Sequence, residues 1–124
     1  MESNVVQLNL LKFRGIKSTV FTGRRQGEDA RKELNLDRID VSDKKGIFII
    51  PTDTTTITPS FYLGLLYESV KRLNFEKFKF KYSFDFSGIS AERIEILKKD
   101  IEEGERNAVN SIKGNRGLGH ILKP

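Results

Sequence analysis

Gly46-Ile47-Phe48-Ile49-Ile50-Pro51 is the stretch of sequence that decides the fold. Its continuous apolar run is bounded by a glycine and a proline, which is the pattern of a short strand buried on both faces. Thr58 and Pro59 follow a polar segment, and they are the residue types preferred at a helix N-cap and at the first helical position. A buried central strand that leads into a helix predicts an α/β domain.

The residues that follow Pro59 have helical spacing. Apolar side chains recur at three- and four-residue intervals over residues 60–73 and form one wide face. These side chains are Phe61, Leu65, Leu66, Val70 and Leu73. We expect this helix to pack on the central strand, with Gly64 permitting close approach of a neighbouring element and Asn74 ending the helix.

The N-terminal part of the chain predicts two strands and a helix. Val6, Leu8 and Leu10 alternate with polar residues, which is the period of a half-buried strand. A second apolar segment at 16–21 follows a glycine, and the two segments together predict an opening hairpin. Residues 28–34 predict a short, highly charged helix with a thin apolar stripe.

A strictly alternating segment follows the long helix. In Lys77-Phe78-Lys79-Phe80-Lys81-Tyr82-Ser83-Phe84 every second residue is aromatic. Because successive side chains of a strand point to opposite faces, this pattern predicts a strand with a buried aromatic face and a solvated face. The lysines then belong to that solvated face or to a protected edge of the sheet.

The C-terminal part predicts one helix and a tail. A helix beginning at Ser90 has Ile94, Leu97 and Ile101 at core spacing and should end near Arg106. The remaining residues 107–124 are rich in glycine with isolated apolar residues, which indicates a loosely ordered basic tail. We therefore expect an α/β domain at 1–106 and a Gly-rich tail at 107–124.

The order of these elements indicates the architecture. Strand, strand, helix, strand, helix, strand and helix follow one another along the chain. Parallel strands need crossover connections, which are right-handed in almost all proteins. We expect an α/β fold with a mixed sheet of about four strands and helices packed on one face.

The composition bounds the possible functions. The chain has 124 residues and 37% are hydrophobic, which is enough for one domain core. It has no cysteine and no segment with the features of a secretory signal or a membrane span, so we expect a cytoplasmic protein without disulfides. The net charge of +5 permits an acidic partner, but 17 acidic residues interspersed with 22 basic ones dilute any continuous phosphate-binding surface.

Two segments together resemble the STAS-like family of small bacterial proteins, which is related in fold to the anti-sigma factor antagonists. The first is Phe21-Thr22-Gly23-Arg24, with Gly27 and residues 31–34 after it. The second is Ile57-Thr58-Pro59-Ser60-Phe61, which opens a helix after the buried strand. The resemblance covers residues 16–106.

This resemblance implies a regulatory module that binds a protein partner and does not catalyse a reaction. In the anti-sigma factor antagonists, a serine near the start of the helix after the central strand is phosphorylated by a kinase-like partner. Ser60 lies at the matching position, although Pro59 and Phe61 stand where those proteins usually have Asp and Gly. A kinase-like ATPase or another signalling protein is the partner that the resemblance implies.

Two groups of candidate site residues follow. The first, Thr58, Pro59, Ser60 and Phe61, is a partner-binding surface with a phosphorylation site, although Thr58 and Ser60 equally suit the plain capping of a helix. The second group consists of arginines that could bind an anion or a partner, or serve a phosphate-ligand enzyme. They are Arg24, Arg25 and Arg31. The alternative for the second group is a plain connection, because Glu28 and Asp29 would repel a phosphate.

The alternative function is that of a nucleic-acid-associated accessory protein. It would use the lysine strand at Lys77, Lys79 and Lys81 together with the basic tail, whose cations are Lys113, Arg116 and Lys123. The sequence has no phosphate-loop signature, no nucleophile elbow and no paired acid and base, so we expect no enzymatic activity, cofactor or metal. The single histidine, His120, cannot form a cluster with others.

Overall fold

The computed structural model describes residues 4–15 and 17–122, with side chains through residue 114. The strands are β1 (Val5–Asn9), β2 (Val20–Phe21), β3 (Lys45–Ile49), β4 (Thr56–Ile57) and β5 (Tyr82–Asp85). The helices are α1 (Arg24–Glu33), α2 (Leu36–Asp40), α3 (Pro59–Leu73), α4 (Phe75–Lys81) and α5 (Ala91–Leu122), with a short 3-10 helix at Leu11–Phe13. The fold is α/β.

The central strand is β3, as the sequence predicts. It lies between β1 and β5 in a three-stranded sheet, and both pairings are parallel. Leu8, Phe48 and Phe84 are in register across the sheet, and Leu8 and Phe48 are buried there. The opposite face carries Ile47 and Ile49, which are half-buried, so the core lies on one side of this sheet.

The strand pairing differs from the predictions in two ways. The opening hairpin is wrong, because β1 pairs with β3 while β2 pairs with β4 in a separate two-stranded sheet. A mixed sheet of about four strands is not confirmed either, since the described strands form groups of three and two that are paired in parallel. The 3-10 helix at Leu11–Phe13 turns the chain away after β1, where the side chain of Asn9 accepts a hydrogen bond from the Leu11 N–H at 2.9 Å.

Helices α1 and α3 make a close backbone contact through two glycines. A Cβ on Gly64 would lie 2.0 Å from the carbonyl oxygen of Arg24, and one on Gly27 would lie 2.2 Å from that of Phe61. These distances are far below van der Waals contact, so neither position accommodates a side chain without separating the helices. The predicted role of Gly64 is confirmed.

The alternating lysine and aromatic segment is mostly helical, so the predicted strand is wrong over residues 77–81, which belong to α4. Asn74 caps α4, because its side chain accepts a hydrogen bond from the Lys77 N–H at 3.1 Å. Only residues 82–85 form the strand β5. A helix separates side chains that a strand would align, and as a result Phe78 is buried while Phe80 is 75% exposed.

Helix α5 continues past the predicted end near Arg106 and runs to Leu122, so a loosely ordered tail is wrong for residues 107–122. Ala108 is fully buried, and Val109 and Ile112 pack against the core. These residues continue the helical spacing begun by Ile101, which explains why the helix does not end at 106. In the described part of the chain, the helices lack the combination of length and apolarity needed to cross a membrane.

Candidate functional site

The N-terminal end of α3 has the geometry of a capped helix start. The Thr58 hydroxyl accepts a hydrogen bond from the Phe61 N–H at 3.3 Å, and Pro59 occupies the first turn. Ser60 is exposed, and its Oγ lies 3.2 Å from that of Thr58. The first turn contains no acidic residue. The arrangement therefore presents a serine hydroxyl to solvent at the positive end of a helix dipole.

Helix α1 begins beside the start of α3. Strands β2 and β4 are neighbours, with Phe21 opposite Ile57, and the Thr58 N–H donates to the Phe21 carbonyl at 2.9 Å. Gly23, with φ at 92°, precedes α1 as its N-cap. Because the two helices follow adjacent parallel strands, their N-termini lie on the same side of the molecule. We call residues 22–25 and 58–60 the paired N-termini.

Phe61 does not belong to this surface. Its side chain is 1% exposed, and its ring centroid lies 5.0 Å from that of Phe21 in the core. Thr58 and Pro59 are half-buried, which leaves Ser60 as the most accessible of the four predicted residues. Phe61 therefore anchors the start of α3, and it is not available to a partner.

The three predicted arginines are not brought together. Arg24 and Arg25 are exposed at the start of α1. The Arg24 guanidinium lies 5.5 Å from the ring centroid of Tyr67, and its Nε is 3.8 Å from a Glu28 carboxylate oxygen. Arg31 is only 8% exposed, so its predicted role in binding an external anion is wrong.

Arg31 belongs to a buried ion cluster around Asp40, whose side chain is 0% exposed. Arg31 Nη2 donates to Asp40 Oδ2 at 2.9 Å, and Ser69 Oγ donates to Asp40 Oδ1 at 2.8 Å. The Tyr82 hydroxyl donates to Asp40 Oδ1 at 2.6 Å. The Asp40 carboxylate is thus fully paired, as a buried charge requires.

Two further residues complete the buried ion cluster at its surface. Asp37 Oδ1 accepts from Arg31 Nη2 at 2.7 Å, and Arg72 Nη1 donates to Asp40 at 3.0 Å. The hydrogen bond from Arg31 holds the pKa of Asp37 below its ordinary value. Burial, assisted by the hydrogen bond to Asp40, raises the pKa of Tyr82. The cluster fastens α1, α2 and α3 to β5, which is a structural role.

A groove of about 550 Å³ lies at the carboxyl ends of β1, β3 and β5. This is where ligands commonly bind in α/β sheets. Arg14, whose side chain is 8% exposed, donates to Asp53 Oδ1 at 2.5 Å and to Thr54 Oγ1 at 3.2 Å. The Arg14 hydrogen bond keeps the pKa of Asp53 below its ordinary value. Asp85 adds a second carboxylate, so the groove has no excess positive charge to attract a phosphate.

Sequence reasoning missed the buried ion cluster and this groove. Their members are far apart along the chain, and Arg14 and Asp53 each suit a simple turn. No local pattern connects them. Among residues 4–15 and 17–122, no group of three or more His, Cys, Asp or Glu side chains is arranged to hold a metal ion.

The three lysines of the predicted strand do not form one row, because α4 places Lys79 on a different side from Lys77 and Lys81, which border the same cavity. Lys79 Nζ donates to Glu105 at 2.9 Å, which joins α4 to α5. Lys81 Nζ donates to the Ser42 carbonyl at 2.6 Å, and Lys77 is exposed. A single row of lysines therefore does not exist. His120, Arg116 and Lys123 lie outside the residues whose side chains are described.

The chain was compared with protein-family models, with curated proteins and with solved structures, and none of the three comparisons gave a match.

Proposed function

We propose that this chain is a non-catalytic regulatory module that binds a protein partner through the paired N-termini, with Ser60 as the residue whose phosphorylation switches binding. The observation that carries the proposal is the position of Ser60, which is exposed in the first turn of α3 beside the start of a second helix. The resemblance to STAS-like proteins supports the same residue. A kinase-like ATPase or another signalling protein is the proposed partner.

The local electrostatics support a switch at this position. A phosphate adds about two negative charges, and the positive ends of two helix dipoles favour a negative charge there. The first turn of α3 contains no acidic residue, and the exposed Arg24 and Arg25 are in the adjacent helix. One carboxylate lies close by, since Asp100 accepts a hydrogen bond from the Ile57 N–H at 3.0 Å. The modified serine would be held in place, and the phosphate would offset the two positive charges that Arg24 and Arg25 give the surface.

The rigidity of the surface also supports partner binding. Backbone contact at Gly27 and Gly64 fixes α1 against α3, and Phe61 anchors the helix start in the core. A surface that is already ordered loses little conformational entropy on binding. We therefore expect binding without rearrangement of either helix.

The test is capture of partners from the native host by immobilised protein. Wild type is compared with Ser60→Ala and Ser60→Asp, and phosphate on Ser60 is sought by mass spectrometry in protein purified from that host. We expect Ser60→Asp to change the affinity for the captured partner about tenfold or more, because a negative charge then stands within the interface. Ser60→Ala should retain binding and abolish modification.

Ser90 provides the matched control, because it is also an exposed serine at the start of a helix, directly before α5. Ser90→Ala and Ser90→Asp should leave capture unchanged. Equal affinity of wild type and both Ser60 variants for the same partners would contradict the switch. Capture that is lost equally in the Ser60 and Ser90 aspartate variants would show a general effect of charge and would contradict the proposed location.

A further inference from the structure

Helix α4 exposes a large aromatic ring on the surface. Phe80 is 75% exposed, although most aromatic side chains in the described part of the chain pack in or against the core. The strand pattern predicted a buried Phe80, and the helix turns it outward while its neighbour Phe78 enters the core. The position of Phe80 therefore requires a different explanation from core packing.

Lysines surround this ring on two separate segments. Lys45 Nζ lies 3.9 Å from the ring centroid of Phe80. A cavity of about 250 Å³ beside it is bordered by Lys44 and Lys45 from the start of β3, by Lys77 and Lys81 from α4, and by Leu73 at the end of α3. We call Lys44, Lys45, Lys77, Phe80 and Lys81 the lysine–phenylalanine surface.

The charge of this surface is strongly positive. Two acidic residues border the same cavity, Asp40 and Asp43. Asp40 is buried and already paired with Arg31 and Arg72, so its charge is compensated within the fold. Asp43 opposes the four lysines from the exposed side of the cavity, and Glu76, one turn before Phe80 on α4, is a second exposed acid beside the ring.

The aliphatic parts of the neighbouring lysine side chains do not shield the Phe80 ring from water. Lysine side chains commonly lie over apolar groups and shield them from water. Here the ring remains 75% exposed even though Lys45 lies against it. The Lys45 ammonium lies over one face of the ring, and the rest of the ring is open to solvent beside cations from two segments of the chain.

We propose that the lysine–phenylalanine surface binds single-stranded nucleic acid. An exposed ring offers a stacking platform to a base, and lysines around it contact the flanking phosphates. A duplex would keep its bases stacked inside and could not use Phe80. The proposal does not depend on the paired N-termini, because the surface lies at the opposite end of α3, about 20 Å from Ser60 along a helix of this length.

The experiment measures fluorescence anisotropy of labelled oligomers of deoxythymidine and of uridine, about 12 nucleotides long, with the full-length chain. We expect wild type to bind with an affinity that falls as salt rises from 50 to 200 mM. Phe80→Ala should weaken binding by about 5- to 150-fold, the range that loss of one stacked base produces. Binding of either oligomer that requires Phe80 supports the proposal. A preference for one of them would show whether the surface favours DNA or RNA.

The lysine contacts are tested by the double variant Lys44→Ala/Lys77→Ala. It should reduce the slope of log affinity against log salt by about 1.4, which is two phosphate contacts to a single strand. Lys98→Ala/Lys99→Ala removes two exposed lysines of α5 and should leave that slope unchanged. Lys81 is not used, because its ammonium group is bonded to the Ser42 carbonyl.

The matched control for Phe80 is Ile96→Ala, which removes an apolar side chain that is 51% exposed on α5. Thermal unfolding confirms that each variant is folded. Equal binding by Phe80→Ala and Ile96→Ala would overturn the proposal, as would equal affinity for a duplex of the same length. Poly-glutamate is added as a competitor of the labelled oligomers. If it displaces them equally well from wild type and from Phe80→Ala, the surface binds acidic polypeptides, and the nucleic-acid proposal is overturned. Ser60→Asp should bind the oligomers like wild type, so the two proposals fail separately.

Discussion

The two ends of α3 differ in the contacts that hold them and in the side chains that they expose to solvent. At the N-terminal end, backbone packs on backbone through Gly27 and Gly64, and the surface presents a single hydroxyl at Ser60. At the C-terminal end, charged groups hold the helix through Ser69 and Arg72, and lysines dominate the surface. The helix dipole favours anions at the first end and cations at the second. One helix therefore presents an exposed serine that can carry a phosphate at one end and a lysine-rich surface at the other.

The largest effect is expected at the charged end. Asp40→Ala leaves the buried Arg31 guanidinium without its buried partner and should lower the free energy of unfolding by about 3–5 kcal/mol. Chemical denaturation measures the loss. Asp37→Ala removes an acid that also bonds Arg31 but whose side chain is 73% exposed, and it should cost far less. Similar losses in the two variants would show that burial does not set the strength of the cluster.

Gly64→Ala tests the backbone contact between α1 and α3 at the N-terminal end of α3. The new Cβ would meet the Arg24 carbonyl at 2.0 Å, so α1 and α3 must separate, at an expected cost of about 1–3 kcal/mol. Gly114→Ala is the matched control, because nothing lies within 4 Å of its Cβ position in α5. That control should stabilise the protein by up to about 1 kcal/mol through helix propensity. A neutral Gly64→Ala in thermal and chemical unfolding would contradict the close contact.

The cap of α3 gives a smaller effect at the same end. Thr58→Ala removes the acceptor of the Phe61 N–H and should cost about 1 kcal/mol in chemical denaturation. Thr58→Ser keeps a hydroxyl and should restore most of the lost stability. If serine fails to restore it, the methyl group of the half-buried Thr58 matters more than its hydrogen bond.

The smallest effect is a pH dependence at the charged end. The pKa of Asp37 lies below 3.8 in the folded protein, mainly because Arg31 donates a hydrogen bond to its carboxylate. A lowered folded-state pKa means that Asp37 adds stability above about pH 4 and that this contribution is lost as the pH falls through the folded value. Because the side chain is largely exposed, Asp37→Asn should cost only about 0.5 kcal/mol at pH 7.

Denaturation of wild type and Asp37→Asn between pH 7 and pH 2 measures this contribution. The difference between the two proteins should stay constant down to about pH 5 and then decrease. Asp43→Asn, a change to an exposed acid before β3, provides the comparison. A difference that grows as the pH falls would contradict the assigned direction of the pKa shift.

Several elements of the fold could be predicted from local sequence alone. The apolar run at 47–50 predicts the central strand, and Thr58 with Pro59 predicts the start of α3. The exposure of Ser60 also follows from the periodicity of that helix, since the apolar positions lie on another face. In each case the signal is carried by neighbouring residues, and neighbours determine local backbone geometry.

The alternating pattern predicts the wrong secondary structure at residues 77–81. A period of two predicts a strand, but the Asn74 cap begins a helix whose buried side is formed by Phe78. Similarly, the glycines after residue 113 indicated a tail, whereas Ala108 and Ile112 extend the packed face of α5. Packing against the rest of the core overrode the local pattern in both segments.

The sequence by itself determined the α/β class, the central strand and the capped start of α3, because each depends on a short run of residues. Only the tertiary structure decided which strands pair, that Arg31 is buried with Asp40 and not exposed beside Arg24, and that Phe80 emerges among lysines from two segments. These arrangements join residues that are distant in the chain. Their free energy comes from burial and charge pairing, which exist only once the segments meet.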